Sequence, residues 1–237
     1  MKQSQMQPAI RRYFTLLELM VVLVLASMLM LIALPAFESI ISGNAVKASS
    51  SQVGSLIQLG RQYAISQRRP VAIVMPGDEG TSIPEEHKFR VVRLAYIEKT
   101  SSGTYDFVDW VPASKWLYMP VGALIMEVDQ DIGIQDNVTY SNNPMDNGAT
   151  TIDKVDLSAA LGGNASIDNV RCIIFASTGR IIGNGLHVTI GEAAFANGYW
   201  IIKRAADTPT NISSANQVNL ELNRFTGHHV FRYPEDY

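Results

Sequence analysis

The sequence predicts an α+β protein in which one long N-terminal helix packs on an antiparallel, sandwich-like β domain. Three observations carry that prediction. Phe14–Pro35 is an almost unbroken apolar run, FTLLELMVVLVLASMLMLIALP. Residues 36–67 then keep apolar positions at steps of three, four or seven, the spacing of an amphipathic helix. After Pro70 the period falls to two, and short β-rich runs follow one another, separated by Gly, Asn, Ser and Pro clusters. One helix followed by many short strands gives the α+β class rather than alternating βαβ units.

Met1–Tyr13 is a short polar and basic leader, with Lys2, Arg11 and Arg12 and too few apolar residues to fold alone. Phe14–Pro35 follows as a transmembrane helix. About twenty helical residues at 1.5 Å each cover the roughly 30 Å of a bilayer's hydrocarbon core. Glu18 is the one charge between Leu16 and Leu34. A carboxylate there costs about 2.5–3.5 kcal/mol on insertion scales, so an ionisable group in such a run marks function. The run is too long for the apolar core of a cleaved secretory signal. Pro35 removes a backbone hydrogen bond and is expected to kink the helix or mark a break. The basic flank places the N-terminus in the cytoplasm and the remainder outside.

Phe14, Glu18 and Pro35 together resemble the N-terminal pattern of type IV pilins and type II secretion pseudopilins. In that family the mature chain begins with Phe, has Glu fifth and Pro near its twenty-second residue. Counting Phe14 as first, Glu18 is fifth and Pro35 twenty-second. The family's leader ends in a small residue, nearly always Gly, where this chain has Tyr13. The register points to the Tyr13–Phe14 bond as the prepilin cleavage site and to Phe14 as the N-methylated first mature residue. The resemblance further implies that Glu18 pairs with the free α-amine of a neighbouring subunit's first residue, which sets filament register. The implied partners are prepilin peptidase, other pilins or pseudopilins met through this helix, the inner-membrane assembly platform and the bilayer.

Residues 36–67 continue as an amphipathic helix into the globular part. The stripe Ile40, Ile41, Val46, Val53, Leu56, Ile57, Tyr63 and Ala64 is to be buried against another element. Gly43, Gly54 and Gly60 weaken this helix by about 1 kcal/mol each relative to Ala, so packing must hold it. Residues 68–237 form the β-rich domain. Strands are expected at Val71–Met75, Phe89–Glu98, Tyr105–Val111, Ala123–Val128, Val170–Phe175, Leu186–Ile190, Tyr199–Lys203, Val218–Leu222 and His229–Tyr233. Residues 129–169, rich in Asp, Asn, Gly and Ser, read as a long insertion with at most a short helix near Lys154–Leu161.

Four segments of this domain are similar to H-type minor pseudopilins and to FimT/FimU-like minor pilins. They are Arg61-Gln62-Tyr63-Ala64-Ile65 running into Pro70-Val71-Ala72-Ile73, Trp116 with Met119-Pro120-Val121-Gly122, Ile174–Arg180, and Asn223-Arg224-Phe225-Thr226-Gly227. The insertion has no counterpart in the resemblance.

Composition limits the chemistry. At 237 residues and 47% hydrophobic content, a packed core remains after the apolar N-terminal run is set aside. The net charge of -3 gives no reason to expect a nucleic-acid partner. The basic C-terminal residues Lys203, Arg204, Arg224 and Arg232 are interleaved with acids and read as solvated surface. One cysteine, Cys172, excludes an internal disulfide, and its apolar setting Val170–Phe175 makes it a buried structural thiol. Asp129, Asp131 and Asp136 are weak calcium candidates, because hard cations take several oxygen ligands but this spacing is not an EF-hand loop. His228 and His229, adjacent in a strand, point to opposite faces and cannot easily share a metal. No spacing matches a nucleophile elbow or a phosphate-binding Gly loop, so the expectation is a non-enzyme without a cofactor.

The expected function is structural. The resemblance implies a minor pseudopilin of a type II secretion system that initiates or caps a pseudopilus used in protein export. It would sit in a bacterial inner membrane as a single-pass protein with a periplasmic C-terminal domain. The alternative is a minor type IV pilin in pilus assembly or DNA uptake.

Overall fold

The computed structural model describes residues 16–77, 83–84, 86–112, 114–129, 150–157, 166–183, 186–196, 199–202 and 216–233. By contacts the chain divides into two compact units, Met1–Ile40 and Ile41–Tyr237. Helix α1 is Leu16–Gln67, and its backbone passes through Pro35 without a break. Of the two outcomes expected at Pro35, the break does not occur. Losing one N–H from the ladder leaves the neighbouring bonds of a long helix in place.

In the first unit the described side chains are Leu16–Leu31, and all are exposed. Thr15, Phe14 and Tyr13 lie outside the described residues, as do the side chains of residues 32–43. Among the described residues no helix is long and apolar enough to cross a membrane. The expected span 14–35 is therefore not met by the described side chains, which cover only its Leu16–Leu31 portion. Ser27, the one uncharged polar residue in this stretch, donates its hydroxyl to the Leu23 carbonyl at 2.6 Å.

Among its described residues the second unit has fourteen strands in three antiparallel sheets. The strands of the largest sheet are β1 (Val71–Val74), β2 (Val91–Lys99), β3 (Tyr105–Trp110), β4 (Leu117–Tyr118), β6 (Thr150–Ile152), β9 (Val170–Phe175) and β10 (Ile181–Ile182). They run in the order β10-β9-β1-β2-β3, with β4 paired to β2 and β6 paired to β9. The second sheet holds β5 (Ala123–Asp129), β11 (His187–Ala196), β12 (Tyr199–Ile202), β13 (Gln217–Leu222) and β14 (His229–Arg232), in the order β12-β11-β13-β14 with β5 on β11. β7 (Val155–Asp156) and β8 (Ser166–Ile167) make a small separate ladder.

Alternation along the central strands decides what each face meets. Val71, Ile73 and Met75 join Leu94, Ile173 and Phe175 in one apolar cluster. That cluster also takes Val53, Leu56, Ile57 and Ala64 from α1 and Leu124, Val188, Val218 and Leu220 from the second sheet. The outer half of α1 is thus packed on antiparallel sheets, as its stripe predicts. Ile40 and Ile41 of that stripe fall outside the described side chains. The helix ends where Arg68 adopts φ 51°, with Arg68 N donating to Ile65 O at 3.3 Å, two residues before Pro70.

The opposite face of the large sheet is also buried, which explains why Val71–Val74 is apolar throughout. Ala72, Val74, Val91, Ala95, Cys172 and Ile174 lie under Ile152, Val155, Leu157 and Ile167. The described parts of 129–169 are therefore not an appendage; they cover the second face of the sheet. The short helix expected near Lys154–Leu161 is replaced, over its described residues, by β7, and Lys154 itself has φ 62°. Its polar composition suggested a surface loop, but Ile152, Val155 and Leu157 are spaced to bury an edge. Cys172 is fully buried and its thiol donates to the Thr150 carbonyl at 3.3 Å, as a structural cysteine does.

Candidate functional site: the helix N-terminus and an arginine corner

Glu18 stands in the first turn of α1 and is exposed. A carboxylate there complements the positive end of the helix dipole. The neighbouring residues Leu16, Leu17, Leu19 and Met20 present large exposed apolar surface around it. An acid at the head of an exposed apolar helix can do one thing chemically, which is to accept a cation or a proton from whatever covers that surface.

A second site emerges where three of the quoted segments meet. Turn Ala176–Arg180 closes through Gly179 N to Ala176 O and Ala176 N to Arg180 O, both 2.8 Å. Turn Asn223–Gly227 closes through Gly227 N to Asn223 O at 2.7 Å. The Asn223 side-chain oxygen accepts from Phe225 N and Thr226 N, each at 3.0 Å, so Asn is the residue that shapes this turn. Gly179 and Gly227 have φ 80° and 62°, a region that side chains disfavour. They also face the helix closely. A Cβ on Gly179 would lie 2.7 Å from Ile65 Cδ1, and one on Gly227 would lie 2.7 Å from Arg61 Cδ and 2.9 Å from Gly179 O.

Both turns thus clasp the Arg61 stem, and Ile181 N donates to Arg224 O at 2.9 Å to tie them together. Three arginines, Arg61, Arg180 and Arg224, border these turns. Arg61 Nε is buried without a hydrogen-bond partner. Arg180 sits 5.0 Å from the ring centre of Phe225, which is itself 68% exposed. Arg224 donates to the Gly183 carbonyl at 3.3 Å. Among the described residues none of the three pairs with a carboxylate. Sequence reading found these segments but not their meeting, because residues 61, 180 and 224 are far apart in the chain. The shared signal was an arginine and a tight turn in two of them.

Asp129 ends β5, its side chain and the whole of Asp131 and Asp136 lie outside the described residues, and no metal-holding group of His, Cys, Asp or Glu is present among those described. His228 is exposed and His229 buried, as alternation predicts, although their rings lie 6.0 Å apart. The expected basic C-terminal surface separates: Arg232 pairs with Glu221 at 3.2 Å, Arg224 belongs to the corner, and Lys203 and Arg204 lie outside the described residues. On β2, Arg93 lies 4.7 Å from the Trp110 ring centre and 5.9 Å from that of Trp116. Burial lowers the Arg93 pKa, and Asp109 opposes that shift.

No family model, curated protein or solved structure matches this chain.

Proposed function

We propose that the chain is a structural, pilin-like subunit, a minor pseudopilin of a type II secretion system that helps to initiate or cap a pseudopilus. The observation that carries this reading is the division of labour along α1. Its first residues, Leu16–Leu31, expose an apolar surface headed by Glu18, while Val53, Ile57 and Ala64 of the same helix are buried in the β domain's core. A helix that served the domain alone would not need that exposed stretch, and an anchor that served the membrane alone would not need the buried stripe.

In this reading Phe14–Pro35 sits in the bacterial inner membrane and in the filament, and the β domain faces the periplasm. Prepilin peptidase cuts after Tyr13, and Phe14 becomes the methylated first residue. Glu18 accepts the α-amine of a neighbour, because a carboxylate in hydrocarbon needs a cation. The test is Glu18→Ala in the full chain. It is expected to remain in the membrane and to lose co-recovery with pilin-like partners. Undiminished co-recovery would sink the assembly role.

A further inference from the structure

We propose that His228 and His229 form an acid-operated latch that holds strand β14 against the Gly54 turn of α1. β14 lies at the end of the second sheet's path, and among the described residues β13 is its one pairing partner. Register sets Leu222 opposite His229 and Leu220 opposite Phe231, and alternation turns these four side chains to the face that meets the core. Val230 and Arg232 point the other way and are exposed. The His229 ring closes on α1 at Gly54, where the missing Cβ leaves it room. One turn earlier, Ser50 is buried on the same stripe of the helix. An edge strand can open through such a contact and leave the other pairings of its sheet in place.

Charge supplies the trigger. Between residues 41 and 67 the helix carries Lys47 and Arg61 and no acid. Arg61 reaches the turn that leads into β14, where an added Cβ on Gly227 would lie 2.7 Å from its Cδ. The same turn adds Arg224. The one acid of β13, Glu221, lies on the face turned away from the helix and pairs with Arg232 at 3.2 Å. The His228 ring stacks on the His229 ring, 6.0 Å between centres and 23° between planes. A second ring proton on His229 thus enters a space bordered by cations and another imidazole, and these elements turn no described carboxylate toward it. Its Nδ1 is buried without an acceptor. That proton costs least when the ring moves into water, so acid favours the released strand. Burial and His228 both hold the His229 pKa down, in keeping with this arrangement. The two states differ by one local contact, and the proton is the ligand that selects between them. The latch needs only the folded β domain and stands apart from Glu18 and the membrane reading.

Deuterium exchange of the detergent-solubilised full chain, corrected for the intrinsic effect of pH on exchange, tests the latch. From pH 7 to pH 5 the amides of residues 50–57 and 229–232 are expected to lose protection roughly tenfold, the scale set by an ordinary histidine pKa of about 6.5. The amides of β1 and β9 should keep theirs, and Cys172, in the other core cluster, should stay shielded from a thiol reagent. His229→Phe is expected to abolish the acid-induced loss. His229→Gln keeps a polar side chain without the titration and should do the same, which covers the case of a Phe variant that does not fold. His228→Asn removes the second imidazole and should leave a smaller loss. Equal protection at both pH values, a loss shared by β1 and β9, or a loss that persists in the His229 variants overturns the proposal. Glu18→Ala is expected to leave the response unchanged, which separates the latch from the assembly role.

Discussion

Gly54 of α1 and His229 of β14 are a matched notch and knob. A Cβ added at Gly54 would lie 2.7 Å from His229 Nε2 and 3.1 Å from Phe231 Cζ. His229 is 8% exposed, and its ring meets Phe231 edge-on at 5.0 Å. Gly54→Ala therefore sets about 1 kcal/mol of helix propensity against an overlap with a confined ring. The expected net effect is a loss of about 1 kcal/mol, read by thermal unfolding of the solubilised chain. Pairing the change with His229→Ala should remove the penalty, and a strictly additive double mutant would contradict the contact.

The same histidine gives stability a pH dependence. Burial lowers the His229 pKa, and the neighbouring His228 lowers it further. Its Nδ1 is buried without a partner, so no acceptor waits for a second ring proton. The unfolded chain then binds that proton more readily than the folded one. Stability from this group is present above the ordinary histidine pKa, about 6.5, and is lost as the pH falls below it. His229→Phe should flatten the unfolding temperature between pH 7 and pH 5. A slope that persists unchanged would place the acid sensitivity elsewhere.

Two glycines with positive φ should respond differently to Ala. Gly227 has φ 62° and backbone 2.9 Å from the position of an added Cβ, whereas Gly103 has φ 93° and nothing within 4 Å. Gly103→Ala is expected to cost about 1–2 kcal/mol of backbone strain alone. Gly227→Ala adds a clash with the Gly179 carbonyl and the Arg61 stem, for about 3 kcal/mol in all. Denaturant unfolding of the two variants measures the difference.

Processing is expected at the Tyr13–Phe14 bond. N-terminal sequencing of membrane-extracted protein should start at Phe14 with a methylated amine. Any other first residue would refute cleavage there, and would leave the Glu18 pairing without its amine.

Cys172 should be inert in the folded chain. Burial pushes its thiol pKa far above the usual range, so little thiolate exists at neutral pH. Native protein is expected to resist a thiol reagent for as long as it stays folded, and denaturant should expose one reactive thiol. Rapid native labelling would contradict the burial.

The sequence made some of this legible. The stripe Val53, Leu56, Ile57 and Ala64 showed the buried face of α1, and Val71–Val74 was apolar because both of its faces are covered. Other features were hidden for physical reasons. Gly54 and Gly60 read only as weak helix positions, yet an added Cβ at Gly60 would come within 3.1 Å of Leu94, so they admit close packing. Ile181–Ile182 is too short to show a period, and Ile152, Val155 and Leu157 sit in a polar stretch that looked like loop. The arginine corner joins residues separated by more than a hundred positions, and local patterns carry no trace of such a meeting.

Strand order also dictates when the protein can finish folding. β1 pairs with β9, so Val71 must wait for Phe175, and the Gly54 notch must wait for His229. Helix α1 leaves the ribosome before any of the strands that cover it. Contacts this distant in sequence close late and slowly. Until β13 and β14 arrive, the cover over the Gly54 part of the α1 stripe is incomplete, and that interval is when a chaperone has access to it.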